Sequence, residues 1–551
     1  MKGSKLKKNG FLQGAMIATL GIAITKVLGI LYVIPFYALI GDTAGSLYGY
    51  AYNIYMIFLG IGYAGIPLAM SKIISEYNTL GYYRAKREAF NIGRKVSLIL
   101  GIFCFIIMFL FAPIFAKMII GNIRGGNSIE DITFVVRVIS TAILVVPIAS
   151  IYRGYLQGHK YITPTAISQI LEQVFRVLVI VGGSFLALRI FKLSLRTTVG
   201  IAVFGATFGA LVSFIYIIGV VRKNKKQLMN KESKVEEPHI PTKVIAKKLF
   251  VYAFPFVMID IFKPFFNTID MVTLVKTLVN GIGFNVGDAE SIMGILSTWG
   301  AKLNNIVTAV GTGIITSLIP HLTSSFVNGD MKGVNSGINR ALQMMLYVSV
   351  PMTVGLSLLS KPVWALFYGT SNYGPITFAY SIYIALFTSL FTLTITIIQL
   401  LKQYKMVFIG LLIGLAIKLS LNVALIYTFN NIGLPAYYGA ITSSVLGLLV
   451  SSIVMLFYMY KKFNVNYEST IKEAFNILWA TIVMIVIICL MRIVIPEVCE
   501  TRLLNILLIL LYMAVGGIVY FTVTLKTKTI TNVFGKELTN KILRKLRLTD
   551  K

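Results

Sequence analysis

Residues 65–93 read GIPLAMSKIISEYNTLGYYRAKREAFNIG, and residues 313–341 read GIITSLIPHLTSSFVNGDMKGVNSGINRA. Each starts in an apolar run, turns polar, passes a glycine (Gly81, Gly329) and re-enters a helical pattern, and the two stretches begin 248 positions apart. A second pair opens at Arg153 (RGYLQGHKYITPTAISQILEQVFRVLVI) and at Gln399 (QLLKQYKMVFIGLLIGLAIKLSLNVALI), 246 positions apart. Two copies running in the same direction imply two lobes related by an axis along a membrane normal.

The surroundings supply the membrane. The 551 residues are 57% hydrophobic with a mean hydropathy of +0.81, and charged residues are only 13%. Apolar runs long enough to span a bilayer fall at about 12–40, 51–77, 93–119, 132–157, 163–188, 197–221, 248–276, 289–318, 337–360, 375–401, 406–428, 436–460, 472–494 and 502–525. The expected fold is therefore an all-α polytopic membrane protein with 14 transmembrane helices. The expected domains are an N-lobe (1–221, helices 1–6), a basic linker (222–247), a C-lobe (248–461, helices 7–12), two C-terminal helices (462–525) and a basic tail (526–551). The basic start is too long in its apolar part for a cleaved signal and reads as the first helix.

Charge sets orientation. There are 51 Lys and Arg against 20 Asp and Glu, net +31. About 35 of the basic residues fall on the side of the two termini and about 8 on the other. That places both termini in the cytoplasm and argues against nucleic acid as the partner. A loop with Arg189, Lys192 and Arg196 on the far side breaks the rule. Cys104, Cys489 and Cys499 form no CxxC pair, and His159, His239 and His321 form no metal cluster. No GxxxxGK[ST], HExxH or GxSxG motif occurs, so neither ATP hydrolysis nor ordinary enzyme chemistry is expected, and no cofactor or metal.

Charges inside the apolar runs are the candidate functional residues, because each is costly in hydrocarbon. Lys26 lies midway along helix 1. Glu172 and Arg176 are one turn apart on helix 5, spaced for an ion pair. Asp260, Lys263 and Asp270 share helix 7 with Pro255 and Pro264. Lys302 is inside helix 8, and Lys418 and Asn422 are on helix 11. With the 246-residue offset, Lys418 answers Glu172 and Asn422 answers Arg176. Lys26, Lys263 and Lys302 suit an anionic ligand such as pyrophosphate. Arg153, at the end of helix 4, is placed to reach headgroups or close a gate. Structural pairing or snorkelling is the alternative for each.

Taken together, Ile24-Thr-Lys-Val-Leu-Gly29, Arg153-Gly-Tyr-Leu-Gln-Gly-His159, Glu172-Gln-Val-Phe-Arg176, Ala301-Lys302 with Ile319-Pro320, and Ile417-Lys418-Leu-Ser-Leu-Asn422 resemble the lipid II flippases of the MurJ type, in the multidrug/oligosaccharidyl-lipid/polysaccharide exporter superfamily. The resemblance covers essentially the whole chain. It implies two six-helix lobes in a V, as in the multidrug exporters of that superfamily, plus two C-terminal helices forming a groove for a lipid tail. It implies as cargo an undecaprenyl-pyrophosphate-linked cell-wall precursor, moved from the inner to the outer leaflet of the bacterial cytoplasmic membrane by alternating access. The partners would then be this lipid-linked oligosaccharide, membrane lipids and cell-wall synthesis proteins. Lys26 and Lys302 fall where the family has essential cations, with Lys263, Arg176 and Arg153 as further headgroup ligands. Glu172, Asp260, Asp270, Lys418 and Asn422 are the polar or ion-coupling candidates. The chain departs from the Gram-negative branch at Tyr32 and near Leu59, where that branch has arginines. Alternatives are a flippase for another lipid-linked polysaccharide, a cation antiporter of the same fold, and a non-transporting scaffold for envelope or spore assembly.

Overall fold

The computed structural model describes residues 8, 11–63, 65–229, 237–238, 240–498, 501–535 and 539. Most of the basic start and tail, the linker core 230–236, His239 and Cys499 lie outside them. So do the side chains of some helical residues, Lys263, Pro320 and His321 among them. Among the described residues the chain is helical without strands, and eleven segments are long and apolar enough to cross a membrane. It is a multi-pass membrane protein.

The chain forms two compact units, Met1–Thr298 and Trp299–Lys551. The first holds α1 (Phe11–Leu31), α2 (Val33–Tyr63), α3 (Ile66–Leu80), α4 (Tyr83–Leu110), α5 (Ala112–Ile120), α6 (Ile129–Gly158), α7 (Ile162–Leu178), α8 (Leu195–Lys223), the short α9 (Lys225–Met229), α10 (Thr242–Lys276) and α11 (Val286–Gly294). Gly41, at φ 73°, divides α2 where the first apolar run was expected to end. Two π-helical turns extend α7 as far as Ile190, so the fifth span is Ile162–Ile190. The units do not divide at the linker. The helix after it, α10, packs on α2, α3 and α4, and α11 lies on α2. Thr298 Oγ1 donates to the Gly45 carbonyl at 2.8 Å, and Asn53 Nδ2 donates to Thr268 Oγ1 at 2.9 Å.

The second unit holds α12 (Gly300–Val327), α13 (Met331–Leu358), α14 (Ser360–Tyr368), α15 (Gly374–Leu400), α16 (Tyr404–Asn431), α17 (Tyr438–Phe463), α18 (Glu468–Val494), α19 (Arg502–Lys526) and α20 (Thr529–Phe534). From α12 to α17 its helix order repeats that of α3 to α8. The α3–α4 turn carries Gly81 at φ 78°, and the α12–α13 turn carries Gly329 at φ 71°. The nine-residue α5 ends at Gly121 (φ 64°), and the nine-residue α14 ends at Gly369 (φ 79°), 248 positions on. Packing repeats as well: α6 on α8 and α7 on α8 in the first unit, α15 on α17 and α16 on α17 in the second.

Lipid offers little hydrophobic drive for helices to associate, so close backbone approach through small residues does this work. A Cβ on Gly209 of α8 would lie 2.4 Å from the Glu172 carbonyl of α7. At the linker end, an apolar cluster including Ile73, Phe90, Tyr155, Leu228 and Leu249 ties α3, α4, α6, α9 and α10 together. Glu237 of the linker accepts from the backbone N–H of Arg84 at 2.9 Å and of Ala85 at 2.6 Å. The carboxylate thus caps the first turn of α4, where free amides and the helix dipole favour negative charge.

Candidate functional site

In the first unit, α6, α7 and α8 bring five polar side chains to one point. Arg153 of α6 meets Glu172 Oε2 of α7 at 2.7 Å, and Arg176 meets Glu172 Oε1 at 2.6 Å. Arg153 Nε donates to Ser168 Oγ at 3.1 Å, and its Nη2 also donates to Ser213 of α8. The spacing-based pair Glu172–Arg176 is present, and Arg153 joins it. Arg153 does not reach toward headgroups: it is 5% exposed and turned into the bundle. The reason is the small-residue packing of α8 on α7, which sets Ser213 and Ser168 around its guanidinium. Two guanidiniums share one carboxylate, leaving the group with one net positive charge. Arg176 Nε is buried without a hydrogen-bond acceptor. Tyr48, Tyr52 and Tyr55 of α2 lie within electrostatic reach of Arg176, and Tyr48 and Tyr52 lie ring to ring at 4.6 Å.

The second unit has a smaller network. Lys418 and Asn422 are fully buried. Lys418 Nζ donates to Asn422 Oδ1 at 3.0 Å, to the Ala440 carbonyl at 2.7 Å and to Ser443 Oγ at 3.1 Å. Ser443 donates in turn to Asn422 Oδ1 at 2.6 Å. An ammonium has three donors, and all three find neutral oxygens. These two residues bridge α16 and α17.

The structure corrects the register between the two networks. The α6–α7 turn places Lys160 at φ 66°, and the α15–α16 turn places Lys402 at φ 58°. Gly158 and Leu400 end the preceding helices, and Ile162 and Tyr404 start the following ones. Each pair is 242 positions apart, not 246. The residue answering Lys418 is therefore Arg176 rather than Glu172, and each half sets a cation at that position of its helix.

The remaining intramembrane charges are more dispersed. Lys26 is exposed in the second half of α1, the sixteenth of its 21 residues, and pairs with no carboxylate among the described residues. Its helix packs along α7, with Gly21 against Ala166 and Gly29 beside Gln173. Lys302 is half-buried on α12 and engaged in polar contact. On α10, Asp260 is exposed, Asp270 is half-buried, and both have partners. The peptide of Asp260 is where Gly60 of α2 makes its close approach. The Lys263 side chain lies outside the described residues.

Sequence reading missed Ser168, Ser213 and Ser443. Serines within apolar helices were the available signal, since such helices pack through small faces. The far-side loop is also accounted for in part: Arg196 pairs with Asp131 at 3.7 Å and lies over the Phe134 ring. Among the described residues no three metal-ligating side chains cluster.

Comparison with known proteins agrees with this layout. The model of the polysaccharide biosynthesis protein family matches residues 11–326, and that of the lipid II flippase MurJ matches residues 306–512. Over 366 residues the chain is 35% identical to the lipid II flippase MurJ of Bacillus subtilis (strain 168), covering 66% of this chain and 67% of that one. A solved structure of lipid II flippase MurJ in an inward closed conformation matches with a TM-score of 0.64 at 14% identity, covering 92% of this chain and 98% of that one. An inward-facing multidrug resistance transporter of the MATE family, in the MOP superfamily, matches with a TM-score of 0.57 at 13% identity, covering 81% and 98%. The two structural matches carry the fold alone.

Proposed function

The chain belongs to the MurJ lipid II flippase family, and from that premise we propose that it moves lipid II, the undecaprenyl-pyrophosphate-linked peptidoglycan precursor, from the inner to the outer leaflet by alternating access. The observation that carries this reading is Lys26. It sits exposed in the second half of α1, with no carboxylate pairing it among the described residues. An ammonium facing hydrocarbon costs up to about 2.5–3.5 kcal/mol. Its face is therefore wet, and an anion is its natural counter-ion. Lys26 and Lys263 of the first unit, and separately Lys302 of the second, are the candidate ligands of the pyrophosphate, each through charge-assisted hydrogen bonds. Arg176 adds positive potential further along α7, while Arg153 positions Glu172 and Arg176 from behind. The prenyl tail stays in lipid along α18 and α19.

Release matters as much as capture, so these contacts are few and separate. The chain has no nucleotide-binding motif, and an ion gradient or the membrane potential drives the cycle. One charge moved through 100 mV supplies about 2.3 kcal/mol. Asp260 and Asp270 are the groups that take a coupling cation, since Glu172 is already held by two guanidiniums. Both termini face the cytoplasm under the positive-inside rule. The test is the leaflet accessibility of labelled lipid II after acute depletion of the protein. Precursor accumulating in the inner leaflet supports the reading, and an unchanged distribution with no other flippase present ends it.

A further inference from the structure

Away from these charges, the second unit contains a groove of about 770 Å³ lined, among the described residues, by polar side chains. One wall is a stripe on α13: Lys332, Asn335, Ser336, Asn339, Arg340 and Gln343. That spacing is a single helical face. The other wall is Asn466 and the first turns of α18, with Glu468, Ser469, Lys472 and Glu473, and Asn532 of α20 closes one end. Such a polar face on a helix that continues as a membrane span needs a reason.

The groove is ordered by its own bonds. Asn339 is buried; its amide donates to the Asn466 carbonyl at 2.8 Å, and its Oδ1 accepts from Thr470 at 2.6 Å. Glu473 accepts from Asn532 at 2.7 Å and from Asn476 at 3.3 Å, so amides rather than cations hold its carboxylate. Lys332, Arg340 and Lys472 are exposed, and no carboxylate pairs with them among the described residues. Lys461 and Lys462 close α17 at the same end of the unit, which the positive-inside rule assigns to the cytoplasm.

We propose that this groove is a binding site for a phosphorylated sugar. Three uncommitted cations suit a phosphate. Asn335, Ser336, Gln343 and Ser469 offer the mixed donors and acceptors that sugar hydroxyls require. Among the described residues no aromatic or aliphatic side chain lines the groove, so a nucleobase or acyl chain finds no surface there to stack on. The volume is that of a small-molecule site. A ligand here ties α13 to α18 and α20, and so couples the C-terminal helices to the second unit's bundle. The same chemistry arrives as a free sugar phosphate or as a phosphosugar lipid headgroup.

The test uses the full chain in a sugar-free neutral detergent, titrated calorimetrically with glucose 6-phosphate, glucose and inorganic phosphate. Glucose 6-phosphate is expected to bind at least about tenfold more tightly than either half. Arg340→Ala with Lys472→Ala, both at exposed positions, abolishes that preference. Asn335→Ala weakens glucose 6-phosphate and leaves inorganic phosphate unchanged. Competition by phosphatidylinositol nanodiscs, against phosphatidylcholine controls, assigns the headgroup as the source, and its absence assigns the free sugar phosphate. Equal binding of all three titrants, no binding in either setting, or binding indifferent to the double substitution overturns the proposal.

Discussion

Arg176 and Lys418 occupy the same turn of the same helix in the two halves of the chain. Each lies sixteen positions after a lysine in left-handed conformation, Lys160 or Lys402. The partners differ. Arg176 shares a carboxylate with Arg153, whereas Lys418 is held by three neutral oxygens. The first half thus keeps a charged group with residual exposure, and the second seals its cation inside the bundle.

Removing the shared carboxylate tests the triad. Glu172→Gln leaves two guanidiniums facing each other and is expected to cost about 3–5 kcal/mol, read as a lowered midpoint in detergent unfolding. Adding Arg176→Gln to it recovers part of the loss, because contacting residues are non-additive. Additive losses would show that the three groups are independent.

Asn422→Ala is expected to destabilise by about 1–3 kcal/mol, since Lys418 and Ser443 both lose an acceptor in a dry site. Transport per folded molecule should be unchanged. A transport defect at normal stability would move Asn422 into the cargo path.

How much was legible follows from these residues. Long apolar runs announced the spans, and the paired glycines Gly81 and Gly329 announced the repeat. The register between α7 and α16 was misjudged by four residues, and the cause is physical. A four-residue shift nearly preserves the helical face but moves depth by about 6 Å. Only the turn conformation at Lys160 and Lys402 resolves it. The direction of Arg153 was not legible, because Ser168 and Ser213 reach it only once α8 has packed on α7.

His159, just beyond α6, is buried, donates from Nδ1 to the Tyr155 carbonyl at 2.8 Å, and is pushed down to about 4, chiefly by that burial. Its folded value lies below the unfolded value of about 6.5. The neutral ring therefore contributes stability above about pH 6.5 that is lost as pH falls toward 4. Thermal midpoints measured across that window should fall more steeply for the parent than for His159→Gln. Parallel slopes would contradict the assignment.

Glu237 is expected to protect the first turn of α4. In Glu237→Ala, hydrogen exchange at the amides of Arg84 and Ala85 should accelerate, with a loss of about 1 kcal/mol typical of a helix cap. Unchanged exchange would mean that another group caps this turn.

The most direct measurement is flipping of labelled lipid II by reconstituted protein carrying Lys26→Ala or Lys302→Ala, with insertion and folding matched to the parent. Loss of flipping in both variants, with partial recovery in Lys26→Arg, is the predicted result. Full-rate flipping by both alanine variants would contradict a cationic path for the headgroup.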